Sequence, residues 1–159
     1  WNCRGFRPNF EELKSLCFEY RPEVICLQEI YLRQSDKRNI RGYTSYHISS
    51  ISSDDRPIGG SSILIDNSVP HQRISLSTPL QAVAARVSLV RTISICSIYL
   101  PPALRFSRQD LVDLVEQLPS PFLLLGDFNA HSDLWGDQSL DRSGTEVENF
   151  IDISNLSFK

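Results

Sequence analysis

Phe122-Leu123-Leu124-Leu125 runs directly into Gly126-Asp127-Phe128-Asn129, and how this stretch is read decides the fold. Four consecutive apolar residues ending on glycine predict a short strand buried on both faces, as in layered α/β folds. The polar residues then lie at the strand's C-terminal end, where loops converge and sites are built. Two other segments repeat the arrangement. Val24-Ile25-Cys26-Leu27 leads to Gln28-Glu29, and the strand-like Thr92 to Leu100 carries Tyr99 just ahead of Pro101-Pro102. That double proline removes two backbone donors and stops the strand. A period of two puts Asp127 and Asn129 on one side and Phe128 on the other. Glu29, Tyr99, Asp127 and Asn129 together offer carboxylates, an amide and a phenol. These are hard oxygen donors, suited to Mg²⁺ or Mn²⁺ rather than Zn²⁺.

Each cluster also has a plainer reading. Gly, Asp and Asn all favour turns, so Gly126 to Asn129 also suits a turn. Glu29 can cap the next segment or pair with an arginine, and a lone Tyr99 can be ordinary strand content. Their coincidence at three strand ends favours a site.

The rest of the chain reads as one α/β domain without internal repeats. Phe10, Leu13, Leu16, Cys17 and Tyr20 recur at helical spacing, with Asn9 and Glu12 as a capping start and Pro22 as the stop. Strands are predicted over 43–48, 61–65, 74–77, 82–90 and 92–100. Leu111, Leu114, Val115 and Leu118 mark a helix capped by Ser107 with Asp110. Thr145 and Glu148 suggest a capping box ahead of Val147, Phe150 and Ile151.

Composition narrows the class. The chain has 159 residues, 41% hydrophobic and 22% charged, enough for one core and against disorder or a disulfide scaffold. No run reaches the roughly 18 apolar residues of a membrane helix. The absence of any Met, even at position 1, raises the expectation of a piece from a longer polypeptide. Cys3, Cys17, Cys26 and Cys96 form no C-x-x-C pair, which favours reduced thiols and an intracellular setting. The net charge of −3 argues against holding nucleic acid by bulk attraction. Yet arginine supplies 13 of the 16 basic residues, and Arg33, Lys37, Arg38 and Arg41 cluster, as either a solvated loop or a phosphate contact. No His/Cys cluster has zinc spacing, and Gly59-Gly60-Ser61-Ser62 is not a serine-hydrolase elbow.

Trp1-Asn2, Leu27-Gln28-Glu29, Gly59-Gly60 before a strand, Tyr99 with Pro101-Pro102, and Gly126-Asp127-Phe128-Asn129 stand in an order that resembles the endonuclease/exonuclease/phosphatase superfamily. Gly126 to His131, Trp135-Gly136 and Tyr99 to Pro102 are most similar to endonuclease domains of non-LTR retrotransposons, especially the jockey-like kind. The resemblance covers essentially residues 1–159. It implies an α/β (α+β) four-layered, two-sheet sandwich, incomplete at both ends. Most of the first strand would be missing, as would a C-terminal portion bearing an Asp and Ser-Asp-His, and Asn2 would sit on a fraying terminus.

The resemblance further implies metal-dependent phosphodiester hydrolysis with Mg²⁺ (Mn²⁺ possible). Glu29 becomes the principal metal ligand, helped by Asn2. Asp127 orients or deprotonates the attacking water, Asn129 holds the scissile phosphate, and Tyr99 donates to the phosphate or approaches the leaving group. The implied substrate is DNA, nicked to expose a 3′-hydroxyl that primes reverse transcription. A reverse-transcriptase (RNA-directed DNA polymerase) domain would follow in the parent polyprotein, in the nucleus. This chain alone is expected to be poorly active. Alternatives are another phosphoesterase of the superfamily (a DNA-repair nuclease or inositol phosphatase) and a catalytically dead relic with at most weak nucleic-acid binding. His131 is expected to pack under Trp135 or cap a turn, and His47 and His71 receive no role.

Overall fold

Two sheets, each with one face toward the other, form the centre of the fold. The computed structural model describes residues 1–36 and 39–154. Along it lie α1 (Phe10–Tyr20), β1 (Val24–Gln28), β2 (Tyr43–Ile48), β3 (Ser61–Asp66), β4 (His71–Ile74), β5 (Gln81–Ser88), β6 (Thr92–Tyr99), α2 (Arg108–Glu116), β7 (Phe122–Asp127), a 3₁₀ turn (Asp133–Trp135) and α3 (Arg142–Ser154). The first sheet has the order β1-β3-β2 and the second β4-β5-β6-β7. All pairings are antiparallel except β6 with β7, which are joined by the α2 crossover and run parallel.

Side-chain alternation sorts the core into layers. Ile63 and Ile65 of β3 meet Val83, Ala85 and Val87 of β5 and Ile93 and Ile95 of β6 between the sheets. Leu64 and Leu27 face outward onto Leu13 and Cys17 of α1. Ala84, Cys96 and Ile98 face the opposite way, onto Leu111 and Leu114 of α2 and Val147 and Phe150 of α3. The result is helix, sheet, sheet, helix: the four-layered α/β sandwich expected. Each fully buried Leu or Ile contributes roughly 1.5–3 kcal/mol.

Several local expectations are corrected. Neither β1 nor β7 is buried along its whole length. Val24, Ile25 and Cys26 are half-buried, and Leu123 and Leu125 are 47% and 42% exposed. An apolar groove of about 620 Å³, lined in part by Trp1, Leu13, Ile25, Cys26, Ile95 and Leu125, runs between these two strands. The fourth strand is His71–Ile74 rather than 74–77, because the Gln117 side chain captures the backbone N–H and carbonyl of Ser77 and draws the chain off the sheet. On α1, Leu16 is 36% and Tyr20 68% exposed, so neither joins the core. Asn9 precedes α1 without capping it; its amide donates to the Cys3 and Gly5 carbonyls.

Ser107 and Asp110 do form a capping box. Thr145 and Glu148 do not. Helix α3 begins earlier, where Asp141 accepts from the Gly144 N–H at 2.6 Å, and Glu148 accepts from the Ser132 hydroxyl. Lys37 and Arg38 of the basic cluster lie outside the described residues, while Arg33 pairs with Asp55. All four cysteines are free thiols, and burial pushes Cys26 to about 11 and Cys96 to about 12.

Candidate active site at the strand ends

The C-terminal ends of β1, β6 and β7 come to one end of the sandwich. Parallel pairing sets Tyr99 opposite Asp127, and the Leu100 N–H donates to the Asp127 carbonyl at 2.9 Å. Gly126 makes this approach possible: a Cβ there would lie 1.9 Å from the Ile98 carbonyl oxygen. The glycine of the Gly-Asp-Phe-Asn stretch is therefore required by packing against β6. The first sheet is tied to the second by the buried side chains of Gln28, Ser61 and Ser97. Gln28 donates to Ser97 Oγ at 3.1 Å, and the two serine hydroxyls lie 2.7 Å apart.

Asn2 is anchored rather than frayed. Its segment runs parallel to β1, with the Trp1 ammonium donating to the Cys26 carbonyl and the Gln28 N–H donating to the Trp1 carbonyl. From there the Asn2 amide nitrogen donates to Glu29 Oε1 at 2.7 Å and to Asp127 Oδ2 at 2.8 Å. One atom thus joins two carboxylates that are 98 residues apart in sequence. The Tyr99 hydroxyl donates to Glu29 Oε1 at 3.2 Å. The Tyr99 ring passes over Gly59 (φ +60), where a Cβ would lie 2.7 Å from ring atom Cε1, and the Gly60 N–H donates to Gln81. This is the structural use of the glycine pair before β3.

All five expected residues are brought together. The Asn129 backbone N–H donates to Asp127 Oδ1 at 3.2 Å, and its side-chain amide donates to the Leu100 carbonyl at 3.0 Å. Asn129 has φ +44, so the strand's alternation ends at Asp127. A turn, not a period of two, places Asn129 beside the carboxylate, and Phe128 packs into the core against the helices. His131 is exposed and meets the Asp137 carboxylate at 3.1 Å, while the Trp135 indole donates to the Ala130 carbonyl. His71 Nδ1 lies 2.7 Å from the Val69 carbonyl, and His47 Nε2 has no hydrogen-bond partner among the described residues.

Tyr31 was not anticipated. Its hydroxyl donates to Glu29 Oε2 at 2.7 Å. A tyrosine two residues after a site carboxylate is a weak signal, because the left-handed turns at Glu29 and Tyr31 remove any simple periodicity.

Partial burial opposes the charged form of Glu29. The hydrogen bonds from Asn2, Tyr31 and Tyr99, with the nearby Arg4, outweigh it and hold the carboxyl below its ordinary range. Burial and the adjacent Glu29 push Tyr99 up, so its hydroxyl stays a donor at neutral pH.

Two converging carboxylates fit a hard divalent cation. Among the described residues no group of three or more His, Cys, Asp or Glu forms a closed cage. One or two carboxylates completed by substrate phosphate is the usual way Mg²⁺ is held. Glu29 would hold it, with Asn2 and Asp127 beside it.

A comparison of the sequence with known families now decides the assignment: residues 1–147 match the Endonuclease/Exonuclease/phosphatase family. The chain belongs to that family. Family members are nucleases and phosphatases that hydrolyse phosphoester bonds, and the nucleases are generally dependent on a divalent metal.

The chain is 30% identical over 139 residues to the RNA-directed DNA polymerase from mobile element jockey of Drosophila melanogaster, covering 86% of this chain and 15% of that protein. It is 25% identical over 154 residues to the probable RNA-directed DNA polymerase from transposon X-element of the same organism, covering 95% and 17%. It therefore spans about one-sixth of these relatives. Among solved structures, the endonuclease domain of TRAS1, a telomere-specific non-LTR retrotransposon, superposes with a TM-score of 0.78 at 18% identity, over 96% of this chain and 69% of that one. An AP endonuclease from Archaeoglobus fulgidus gives 0.67 at 14% identity, over 99% and 69%. These superpositions establish the shared fold. No helix among the described residues is long and apolar enough to cross a membrane.

Proposed function

We propose that this Endonuclease/Exonuclease/phosphatase domain is the DNA-nicking endonuclease of a retrotransposon-encoded RNA-directed DNA polymerase, working with Mg²⁺ or Mn²⁺. The observation that carries the reading is the Asn2 amide joining Glu29 to Asp127 beside Tyr99 and Asn129. The similarity to jockey and X-element proteins supports the retrotransposon context; DNA as substrate, a downstream reverse transcriptase and a nuclear site of action belong to the same proposal.

The cation, when bound, neutralises charge developing on the phosphate. The chain's own groups do the positioning. Asp127, with one oxygen on the Asn129 N–H and the other on Asn2, orients the attacking water and accepts its proton. Asn129 spends one amide hydrogen on the Leu100 carbonyl and turns the other to the scissile phosphate. Tyr99, whose bond to Glu29 is the longest of that carboxylate's three, redirects its hydroxyl to a phosphate oxygen.

Nicking by residues 1–159 alone is expected to be weak, because no Asp–His pair follows Leu140. The test is conversion of supercoiled plasmid to open circles in Mg²⁺, with Glu29→Gln and an abasic duplex in parallel. Weak nicking that is lost in Glu29→Gln supports the proposal. Nicking that survives Glu29→Gln overturns it, and strong preference for the abasic site would assign the domain to DNA repair instead.

A further inference from the structure

Tyr31 has no part in the mechanism above, yet it occupies the one oxygen of Glu29 that Asn2 and Tyr99 leave. The three donors reach the carboxylate from the N-terminal segment, the loop after β1 and the end of β6. With both oxygens engaged, rotation of the carboxylate about its last bond breaks at least one of these bonds.

The loop is shaped to make the Tyr31 contact. Glu29 and Tyr31 have φ of +54° and +48°, a region that residues with side chains seldom adopt. Backbone bonds fasten the loop on both sides. The N–H groups of Gly5 and Phe6 donate to the carbonyls of Glu29 and Ile30, and the Tyr31 N–H donates to the Gly59 carbonyl at 2.9 Å. Ile30 between them is fully buried. The doubled left-handed turn folds the phenol back over the carboxylate.

We propose that Tyr31 is a positioning residue. Its hydroxyl fixes the rotation of the Glu29 carboxylate so that Oε1 is presented toward Asp127, and so sets the affinity of the pair for a divalent cation. The inference rests on Glu29 being the metal-holding group. Groups that orient a ligating side chain typically change metal affinity by about 10- to 100-fold.

The test is the Mn²⁺ dissociation constant of the 159-residue chain, read by water-proton relaxation without DNA. Wild type, Tyr31→Phe, Tyr31→Ala and Glu29→Gln are compared, each with a thermal melt. Tyr31→Phe keeps the ring and removes only the hydroxyl. It is expected to weaken Mn²⁺ about tenfold with an unchanged melt, and Tyr31→Ala to bind no more weakly than Tyr31→Phe. Wild-type affinity in Tyr31→Phe overturns the proposal, as does weakening confined to Tyr31→Ala, since ring packing would then explain it. Equal Mn²⁺ binding by wild type and Glu29→Gln would overturn the assignment of Glu29 itself, and the role of Tyr31 with it.

Discussion

Glu29 accepts side-chain hydrogen bonds from Asn2, Tyr31 and Tyr99, which come from three separate stretches of chain. Asp127 receives one side chain, Asn2, and is otherwise placed by main chain: its strand's register against β6, its carbonyl on the Leu100 N–H, and the turn that aims the Asn129 N–H at its carboxylate. One carboxylate is oriented by donors gathered from across the fold, the other by the backbone that carries it. The first arm is therefore vulnerable to loss of a polar atom anywhere around it. The second is vulnerable to anything that moves β7 away from β6.

The largest effect expected separates the roles of the two arms. Glu29→Gln and Asp127→Asn should each lower plasmid nicking by roughly 10³-fold. Mn²⁺ binding should be lost mainly in Glu29→Gln. Equal loss of Mn²⁺ affinity in both variants would make the carboxylates interchangeable and break the comparison.

Next is the backbone arm. Gly126→Ala drives a methyl into the Ile98 carbonyl, 1.9 Å from the new Cβ. Overpacking of this kind should cost about 2 kcal/mol or more in urea unfolding. A removal of one donor to the other arm, Tyr31→Phe, should leave unfolding unchanged. Matching losses in the two variants would contradict a division between backbone and side-chain control.

The smallest effect concerns the loop that follows Asp127 and is closed by Asp141. The Gly144 N–H foremost, opposed by burial and helped by the His131 N–H, holds Asp141 below the ordinary carboxylate value. A carboxyl whose folded value is depressed adds stability that is complete above its unfolded value of about 3.9 and lost as pH falls through the folded one. The difference in urea midpoint between wild type and Asp141→Asn should accordingly be constant from about pH 7 to pH 5 and shrink below about pH 4. Growth of that difference on acidification would show that the charge of Asp141 opposes the loop's closure.

Much of the site was legible because its markers are local. An apolar run followed by a polar cluster says roughly where a strand stops, and Pro101 and Pro102 mark a stop that their missing backbone donors alone explain. Ser107 with Asp110 was readable for the same reason: a capping box is contained within four residues. Thr145 with Glu148 had the same spacing and failed, since Asp141 began the helix first and Ser132 claimed Glu148. The strand expected at 74–77 failed because Gln117, some 40 residues away, takes the backbone groups of Ser77.

By itself, then, the sequence determined which segments bury apolar surface, where they end and which oxygen-bearing residues stand at those ends. These follow from hydrophobic periodicity and from residues that permit or forbid particular backbone angles. Only the tertiary structure decided how far β1 and β7 are covered, that Asn2 spans Glu29 and Asp127, and that Tyr31 turns back onto Glu29. Those facts depend on which strand lies beside which and on φ angles imposed by distant hydrogen bonds, and neither is encoded in any short window of residues.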